Sequence, residues 1–265
     1  MDCQNISIDE YAKISHEYVK TKQHIWRKHV EEYSIRNMFG NMIGNSRDIN
    51  VLELACGAGH YTNKLCNEWQ IAKSVLATDL SPDMIDIAVK TYPDDIKMQF
   101  RVEDACCQRQ FIHQHTFDIV FAAYLINYCC NYDMLLQMCT TIKMNLRPGG
   151  KFISVNDGCH HDVSAYDKIP GFNKVLANGD DGERVDFSPI TIELSDPFDI
   201  INVDKNVCTF TNYWISKATI EKAFIQTGFD TVCIIPVTRS CHEDDYCPCR
   251  HYVDNQVICM ILATV

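Results

Sequence analysis

From Ile49 onward the chain alternates short apolar runs with turn residues and helical patterns; the runs are INVLELA, SVLATD, KMQFRV, FDIVFAAYLI and KFISV. Strands alternating with helices in this way predict a parallel, doubly wound α/β sheet. The helices carry their own signals. Ser81 precedes PDMIDIAVKTY with Pro82 at the first helical position, and Leu135, Met138, Ile142 and Leu146 form one stripe before the stop Pro148-Gly149-Gly150. Upstream, Ser7 followed three residues later by Glu10 is a capping-box pattern, and Tyr11, Ile14 and Tyr18 recur at helical spacing. An N-terminal helical region to about Ile43 is expected.

Between Asn156 and Asn212 the pattern breaks into Gly-, Asp- and Pro-rich sequence too long for a bare connection, so an inserted cap, partly hairpin, is expected. Regularity returns with a helix over Ser216 to Gly228, ending at a glycine suited to a left-handed cap, and with the strands FDTVCIIPV and QVICMILATV. The polar stretch between them, TRSCHEDDYCPCRHYVDN, reads as a surface loop. The expected organisation is a single domain: residues 1–45 a helical lid, 46–155 a core, 156–212 the cap and 213–265 a terminal helix with a strand pair.

Composition narrows the function. The chain has 265 residues, 46% of them hydrophobic and 22% charged, which is enough to bury a full core. Its longest apolar run, Ile119 to Ile126, falls far short of the ~20 residues that cross a bilayer, and the start MDCQNISIDEYAK lacks the basic and apolar regions of a signal peptide. No membrane association and a cytoplasmic location are expected. A net charge of −11 argues against nucleic acid, which is bound by neutralising phosphates with Lys and Arg, and favours a small-molecule partner for a monomer or homodimer. The 15 cysteines are odd in number and scattered, so reduced thiols are expected. Lys20, Lys22, Arg27 and Lys28, near Tyr18 and Trp26, could contact an anion, but a solvated helix face is the better reading.

The sharpest local signal is VLELACGAGHYT, a strand ending at Ala55 and a Gly57-Ala58-Gly59 turn into a helix, where small residues let backbone N–H groups approach a ligand. Many nucleotide binders share such a turn. Three acids discriminate among them. Asp79 closes the second strand about 20 residues after the glycines, right for accepting hydrogen bonds from both ribose hydroxyls. Asp104 follows the third strand, where a carboxylate can accept the exocyclic amine of adenine. Glu53, beneath the turn, would repel a pyrophosphate and attract an ammonium-bearing amino acid, which favours a sulfonium amino-acid cofactor over a dinucleotide.

The ordered set Glu53-Leu54-Ala55-Cys56-Gly57-Ala58-Gly59, Asp79-Leu80-Ser81 with Met84, Glu103-Asp104-Ala105, Phe117-Asp118-Ile119-Val120 and Leu146-Arg147-Pro148-Gly149-Gly150 closely resembles the class I S-adenosylmethionine-dependent methyltransferases, small-molecule type. The resemblance covers about Ile49 to Val155 plus the terminal helix and strands. It implies a Rossmann-like, seven-stranded, mostly parallel sheet of order 3-2-1-4-5-7-6 with helices on both faces. It also implies S-adenosyl-L-methionine bordered by Ala55, Gly57 and Gly59, with Glu53 beneath, Asp79 on the ribose, Leu80 and Met84 flanking the adenine, and Asp104 with Ala105 at its edge. Ala55 stands where many members have glycine, a departure expected to cost little. Plainer roles remain open: Asp79 as a helix cap, Asp104 as a turn acid, Met84 as core, Cys56 as packing.

Methyl transfer needs the acceptor held in line, and a base only if the acceptor must lose a proton. The catalytic candidates are Tyr124, His160 and His161, near the ends of the fourth and fifth strands; the histidines read equally as surface residues. Tyr18 and Tyr124 are also cofactor candidates, and Tyr11, Asn127, Asp157 and Tyr213 are expected on the substrate side. Cys241, His242, Cys247, Cys249 and His251 could bind a thiophilic metal, but their spacing is irregular and no metal is expected. The rival readings are a nicotinamide-dependent oxidoreductase and a non-enzymatic cofactor-binding or metal-sensing module.

Overall fold

The computed structural model describes residues 3–44, 48–93, 95–112, 117–158, 172–176, 185–195, 206–240 and 249–265. A seven-stranded sheet runs through it, built from β1 (Ile49–Leu54), β2 (Ala72–Asp79), β3 (Met98–Val102), β4 (Phe117–Ala123), β5 (Leu146–Asp157), β9 (Thr231–Pro236) and β10 (Ile258–Thr264). Its order is β3-β2-β1-β4-β5-β10-β9, the first five strands parallel and β10 antiparallel to both neighbours. Counted within this sheet alone, that is the expected order 3-2-1-4-5-7-6.

Period-two alternation sends successive side chains to opposite cores. From β4, Ile119 and Phe121 enter one core, with Val30 and Phe39 of the N-terminal segment. Val120 and Ala122 enter the other, with Leu135, Met138 and Ile142 of α5 (Tyr132–Asn145) and Ile220 of α6 (Lys217–Gln226). Each fully buried Leu or Phe is worth about 1.5–3 kcal/mol relative to an exposed one, so both faces contribute substantially. The central strands β1 and β4 are buried on both faces because helices cover both, whereas the edge strand β3 is largely exposed.

The capping signals hold where local chemistry decides. Ser81 Oγ accepts the Met84 N–H at 3.3 Å to open α4 (Pro82–Thr91), and Ser216 Oγ accepts the Thr219 N–H at 3.2 Å to open α6. Past the end of α6, Gly228 sits at φ 89 and its N–H returns to the Ile225 carbonyl. The N-terminal region is two helical pieces, α1 (Cys3–Thr21) and α2 (Tyr33–Ile43), the latter preceded by a π-helical turn over Arg27–Glu32. Ser7 lies inside α1 and does not start it. Glu10 is engaged elsewhere, accepting the N–H of Thr211 at 3.1 Å and its hydroxyl at 2.9 Å.

The insertion contains a three-stranded antiparallel sheet, β6 (Phe172–Leu176), β7 (Ser188–Ser195) and β8 (Asn206–Trp214), ordered β6-β7-β8. Phe210 of β8 packs edge-on against Tyr18 of α1 at 5.8 Å between centroids, so α1 and this sheet pack together. The stretch between β9 and β10 is not all surface loop: it forms α7 (Cys249–Asp254), whose Tyr252 is buried and stacks on Trp26 at 4.6 Å. Ten described cysteines are free, whereas Cys130 is disulfide-bonded, an exception to the expected reduced set. No described helix is long and apolar enough to cross a membrane.

Candidate active site

Sheet order reverses between β1 and β4, and an open α/β sheet offers its ligand crevice outside the carboxyl ends of the strands at such a point. A cavity of about 190 Å³ lies there. Its floor is the turn after β1. Ala55 and Gly57 both adopt left-handed backbone, at φ 55 and φ 54, and Gly59 follows at φ 81 before α3 (His60–Asn63). Ala55 therefore pays for its β-carbon, since a non-glycine residue in this region costs about 1–2 kcal/mol. The expectation that alanine costs little here is corrected by this geometry. Gly59 is not in the cavity wall; a β-carbon on it would meet the Phe100 ring at 2.9 Å, so its glycine serves packing against β3 as well as the turn.

Asp79, at the end of β2, faces the turn. Its Oδ2 accepts the Gly57 N–H at 2.7 Å and its Oδ1 the Ser81 N–H at 2.9 Å. Burial raises its carboxyl above the ordinary value, against the pull of the N–H groups of Ser81, Gly57 and Leu80. Helix capping falls to Ser81, and Asp79 is left as a desolvated acceptor in the cavity wall. Leu80 and Met84 line the same wall, as do Asp104 and Ala105 after β3. Asp104 also closes a turn, its Oδ1 accepting the Cys106 N–H at 2.7 Å, so the turn role and a place in the cavity coexist.

Glu53 lies beneath the wall, 1% exposed, with Thr62 Oγ1 donating to it at 2.6 Å. Burial pushes its carboxyl up to about 8, against the Thr62 hydroxyl and the Lys22 charge. At neutral pH this favours its protonated form over the expected anion.

The other end of the cavity is tyrosine-rich. Tyr11 and Tyr18 come from α1, Tyr61 from α3, Tyr124 from just beyond β4, and Tyr128 from the 3₁₀ turn Ile126–Tyr128. Tyr11 and Tyr128 hydrogen-bond through their hydroxyls, tying α1 to that turn. Tyr61 and Tyr124 both donate to Glu31, through Oε1 and Oε2. Glu31 in turn receives Arg27 Nη1 at 2.7 Å, a pair in which both side chains are almost fully buried. Burial alone would raise the Glu31 carboxyl; Arg27, Lys22 and the two tyrosine hydroxyls together bring it below the ordinary carboxylate value.

Arg27 is thus no part of a solvated helix face, although Lys20 and Lys28 are exposed. Sequence reasoning passed over the Arg27–Glu31 pair; its one signal is two opposite charges at i,i+4 on the apolar stripe of Trp26 and Val30.

Not every expected residue reaches the cavity. Asn127 and Asp157 are buried beside it, Asn127 Oδ1 accepting the Asp157 N–H at 3.1 Å while Asp157 Oδ2 accepts from Asn212 at 3.2 Å. They brace the junction of β5 and β8. Tyr213 pairs with Pro189 in the insertion sheet and is not in the cavity wall. Tyr124 is in the wall, but burial and the Glu31 charge raise its hydroxyl above the ordinary phenol value, so it holds its proton at neutral pH. His160, His161, Cys241, His242 and Cys247 lie outside the described residues, as does the His251 side chain. Cys249 is buried at the start of α7, and no group of three metal-ligating side chains occurs among the described residues.

Residues 51–150 match the family model described as a methyltransferase domain. Among curated proteins the chain is similar to a sterol 4-C-methyltransferase, strm-1, of Caenorhabditis elegans, 23% identical over 147 residues, which is 55% of this chain. The match spans only 42% of that relative's length. Among solved structures, an S-adenosylmethionine-dependent methyltransferase from Clostridium acetobutylicum is similar with a TM-score of 0.61 at 17% identity, over 96% of this chain and 98% of that one. The glycopeptide N-methyltransferase MtfA, solved with S-adenosyl-L-methionine, is similar with a TM-score of 0.55 at 17% identity, over 87% of this chain and 92% of that one. Residues 51–150 thus carry a methyltransferase domain, and the sheet around them has the strand order expected of the class I S-adenosylmethionine-dependent methyltransferase fold.

Proposed function

We propose that this protein transfers a methyl group from S-adenosyl-L-methionine to a small-molecule acceptor. The observation that carries the reading is the single cavity in which Asp79, Leu80, Met84, Asp104 and Ala105 gather against the Gly57 turn, with the tyrosines of α1 closing the opposite side. The residues suit the cofactor. Asp79 is a desolvated carboxylate with lone pairs to spare for a diol, Leu80 and Met84 offer apolar faces to a purine, and left-handed backbone at Gly57 opens the floor. Bound there, the cofactor supplies an activated methyl group that an acceptor takes in line.

The chain's own contribution is positioning, which can supply much of the acceleration. The Tyr11–Tyr128 and Tyr18–Phe210 contacts hold α1 and the insertion sheet over the acceptor end, and the tyrosine walls exclude water. For an acceptor that must lose a proton, we assign the base to His160 or His161, on their place in the sequence just after β5, because Tyr124 keeps its own proton. The concave site and the net charge of −11 favour a small acceptor over nucleic acid, and we place the protein in the cytoplasm as a monomer or homodimer. The glycopeptide acceptor of MtfA is one such small molecule.

The test is calorimetric titration with S-adenosylhomocysteine, with NAD as the control nucleotide. Micromolar binding of the first and none of the second supports the reading. Binding of NAD instead favours an oxidoreductase, and nucleoside binding without methyl consumption across amines, phenols, carboxylates and thiols favours a non-enzymatic module.

A further inference from the structure

β3 ends the seven-stranded sheet, and among the described residues no strand pairs with its outer edge. The ladder to β2 fixes which backbone groups lie on that edge. The Glu103 N–H donates to the Asp79 carbonyl at 3.0 Å, and the Lys97 carbonyl accepts the Val75 N–H at 2.8 Å. In a parallel ladder both groups of one residue face the same neighbour and those of the next residue face away. Odd-numbered residues of β3 therefore face β2, and Met98, Phe100 and Val102 face outward. The Met98 N–H is taken by the Asp95 carbonyl at 3.1 Å, which leaves the Met98 C=O and both groups of Phe100 and Val102 on the open edge. The side chains do not cover it: Ile96 is 94% and Val102 49% exposed, and Lys97, Gln99 and Arg101 are exposed as well.

The edge sequence Lys97-Met98-Gln99-Phe100-Arg101-Val102-Glu103 is complementary to its own reverse. Laid antiparallel against a second copy and centred on Phe100, it sets Lys97 opposite Glu103, Met98 opposite Val102, Gln99 opposite Arg101 and Phe100 opposite itself. The same register brings outward-facing residues together, as antiparallel pairing requires. The polar pairs then fall at the non-hydrogen-bonded positions, where opposing side chains are closest. Arg101 already donates to Gln99 at 3.1 Å within one copy, and Glu103 uses Oε2 for Arg109, leaving Oε1 for a lysine. Charges on an edge strand commonly repel a second strand. Here the charges of one copy meet their complements on the other.

We propose that the outer edge of β3 is a homodimer interface, two copies joining antiparallel about a two-fold axis at Phe100 into one continuous sheet. Phe100 exchanges its N–H and C=O with its counterpart, and each Val102 N–H reaches the Met98 carbonyl of the second copy. Glu103 also lines the cavity, so Lys97 of the second copy stands beside the cavity wall. A strand pair is a small contact, so the dimer is expected in reversible equilibrium with monomer in the micromolar range.

The test is sedimentation equilibrium of the full chain over that range, on wild type, Lys97→Glu, Glu103→Lys, the double reversal and an equimolar mixture of the two single reversals, each checked for native circular dichroism. Wild type dimerises. Each single reversal sets like charges opposite each other at both symmetry-related positions and weakens the dimer by roughly 10-fold or more. The double reversal and the mixture, in which every pair is again opposite in sign, restore it. Val102→Pro removes an edge N–H that the fold itself does not use, and abolishes dimerisation while the monomer stays folded. A monomeric wild type, single reversals or Val102→Pro that dimerise like wild type, or reversals rescued in neither the double variant nor the mixture overturn the inference. The readout is mass alone, so its failure is distinct from failure of the methyl-transfer reading.

Discussion

Asp79 Oδ2 accepts the Gly57 N–H at 2.7 Å, so the carboxylate assigned to the ribose is also the strut that holds the glycine turn. Removing it takes away a ligand contact and a loop constraint together. Asp79→Ala is expected to reduce S-adenosylhomocysteine affinity by at least ~100-fold, the scale of losing charge-assisted hydrogen bonds on both sides of the group. Asp79→Asn should fare little better, because its amide can accept through only one atom where Gly57 and Ser81 need two acceptors. Calorimetry of the folded variants decides; affinity within a few-fold of wild type would remove Asp79 from the site.

Ala55 at φ 55 stores strain that a glycine would release. Ala55→Gly should therefore stabilise the protein by up to ~1 kcal/mol, the left-handed penalty less the added chain entropy of glycine in the unfolded state. Urea denaturation of the two proteins measures it, and a clear loss of stability would show that the alanine methyl contributes more packing than its backbone costs.

Glu31 is 0% exposed and serves Arg27, Tyr61 and Tyr124 at once. Glu31→Ala would leave the Arg27 guanidinium buried without its counter-charge, an arrangement that costs about 3–5 kcal/mol. Arg27→Met with Glu31→Leu, which removes both charges, should recover much of that loss. A double variant no more stable than the single one would mean that the tyrosine hydroxyls, left without their acceptor, dominate the energetics.

Glu53 gives the protein a pH signature. Its folded-state value of about 8 lies above the ordinary 4.5, so between these values the unfolded chain binds fewer protons than the native one. Stability from this group is fully present below the lower value and is lost as pH rises through the higher one. Wild type should thus lose stability relative to Glu53→Gln from about pH 5 to about pH 9. Binding of an ammonium-bearing ligand should also release protons near neutral pH, read as a dependence of the calorimetric heat on buffer ionisation enthalpy. Parallel stability profiles for the two proteins would contradict an elevated Glu53.

Much of this architecture is legible in the chain. The five runs from INVLELA to KFISV are β1 to β5; the central ones are largely apolar because both their faces are covered, whereas the edge strand β3 keeps Gln99 and Arg101. Ser81, Ser216 and Gly228 mark helix ends through contacts within a few residues. The cavity positions of Asp79, Leu80, Asp104 and Ala105 were also readable, since each sits at a strand end or in the turn after it, and Met84 follows in the first turn of α4; the sheet alone brings those ends together. Ser7 misled because Glu10, its capping partner by spacing, finds Thr211 across the fold. Asn127, Asp157 and Tyr213 are not in the cavity wall, because position at or near a strand end says nothing about which way a side chain points.

What the sequence determined by itself is local: periodicity sets strand and helix, a small-residue turn sets a ligand floor, and the order of motifs carries the resemblance to methyltransferases. What only the tertiary structure decided is which distant groups meet in low dielectric. Arg27, Glu31, Tyr61 and Tyr124 span nearly 100 positions yet share one carboxylate. Lys22 looks like one more surface lysine until α1 folds over the tyrosines. The protonation of Glu53 likewise depends on the burial that Thr62 and the surrounding core impose. Desolvation and long-range pairing arise from packing between segments, and no window of the chain contains them.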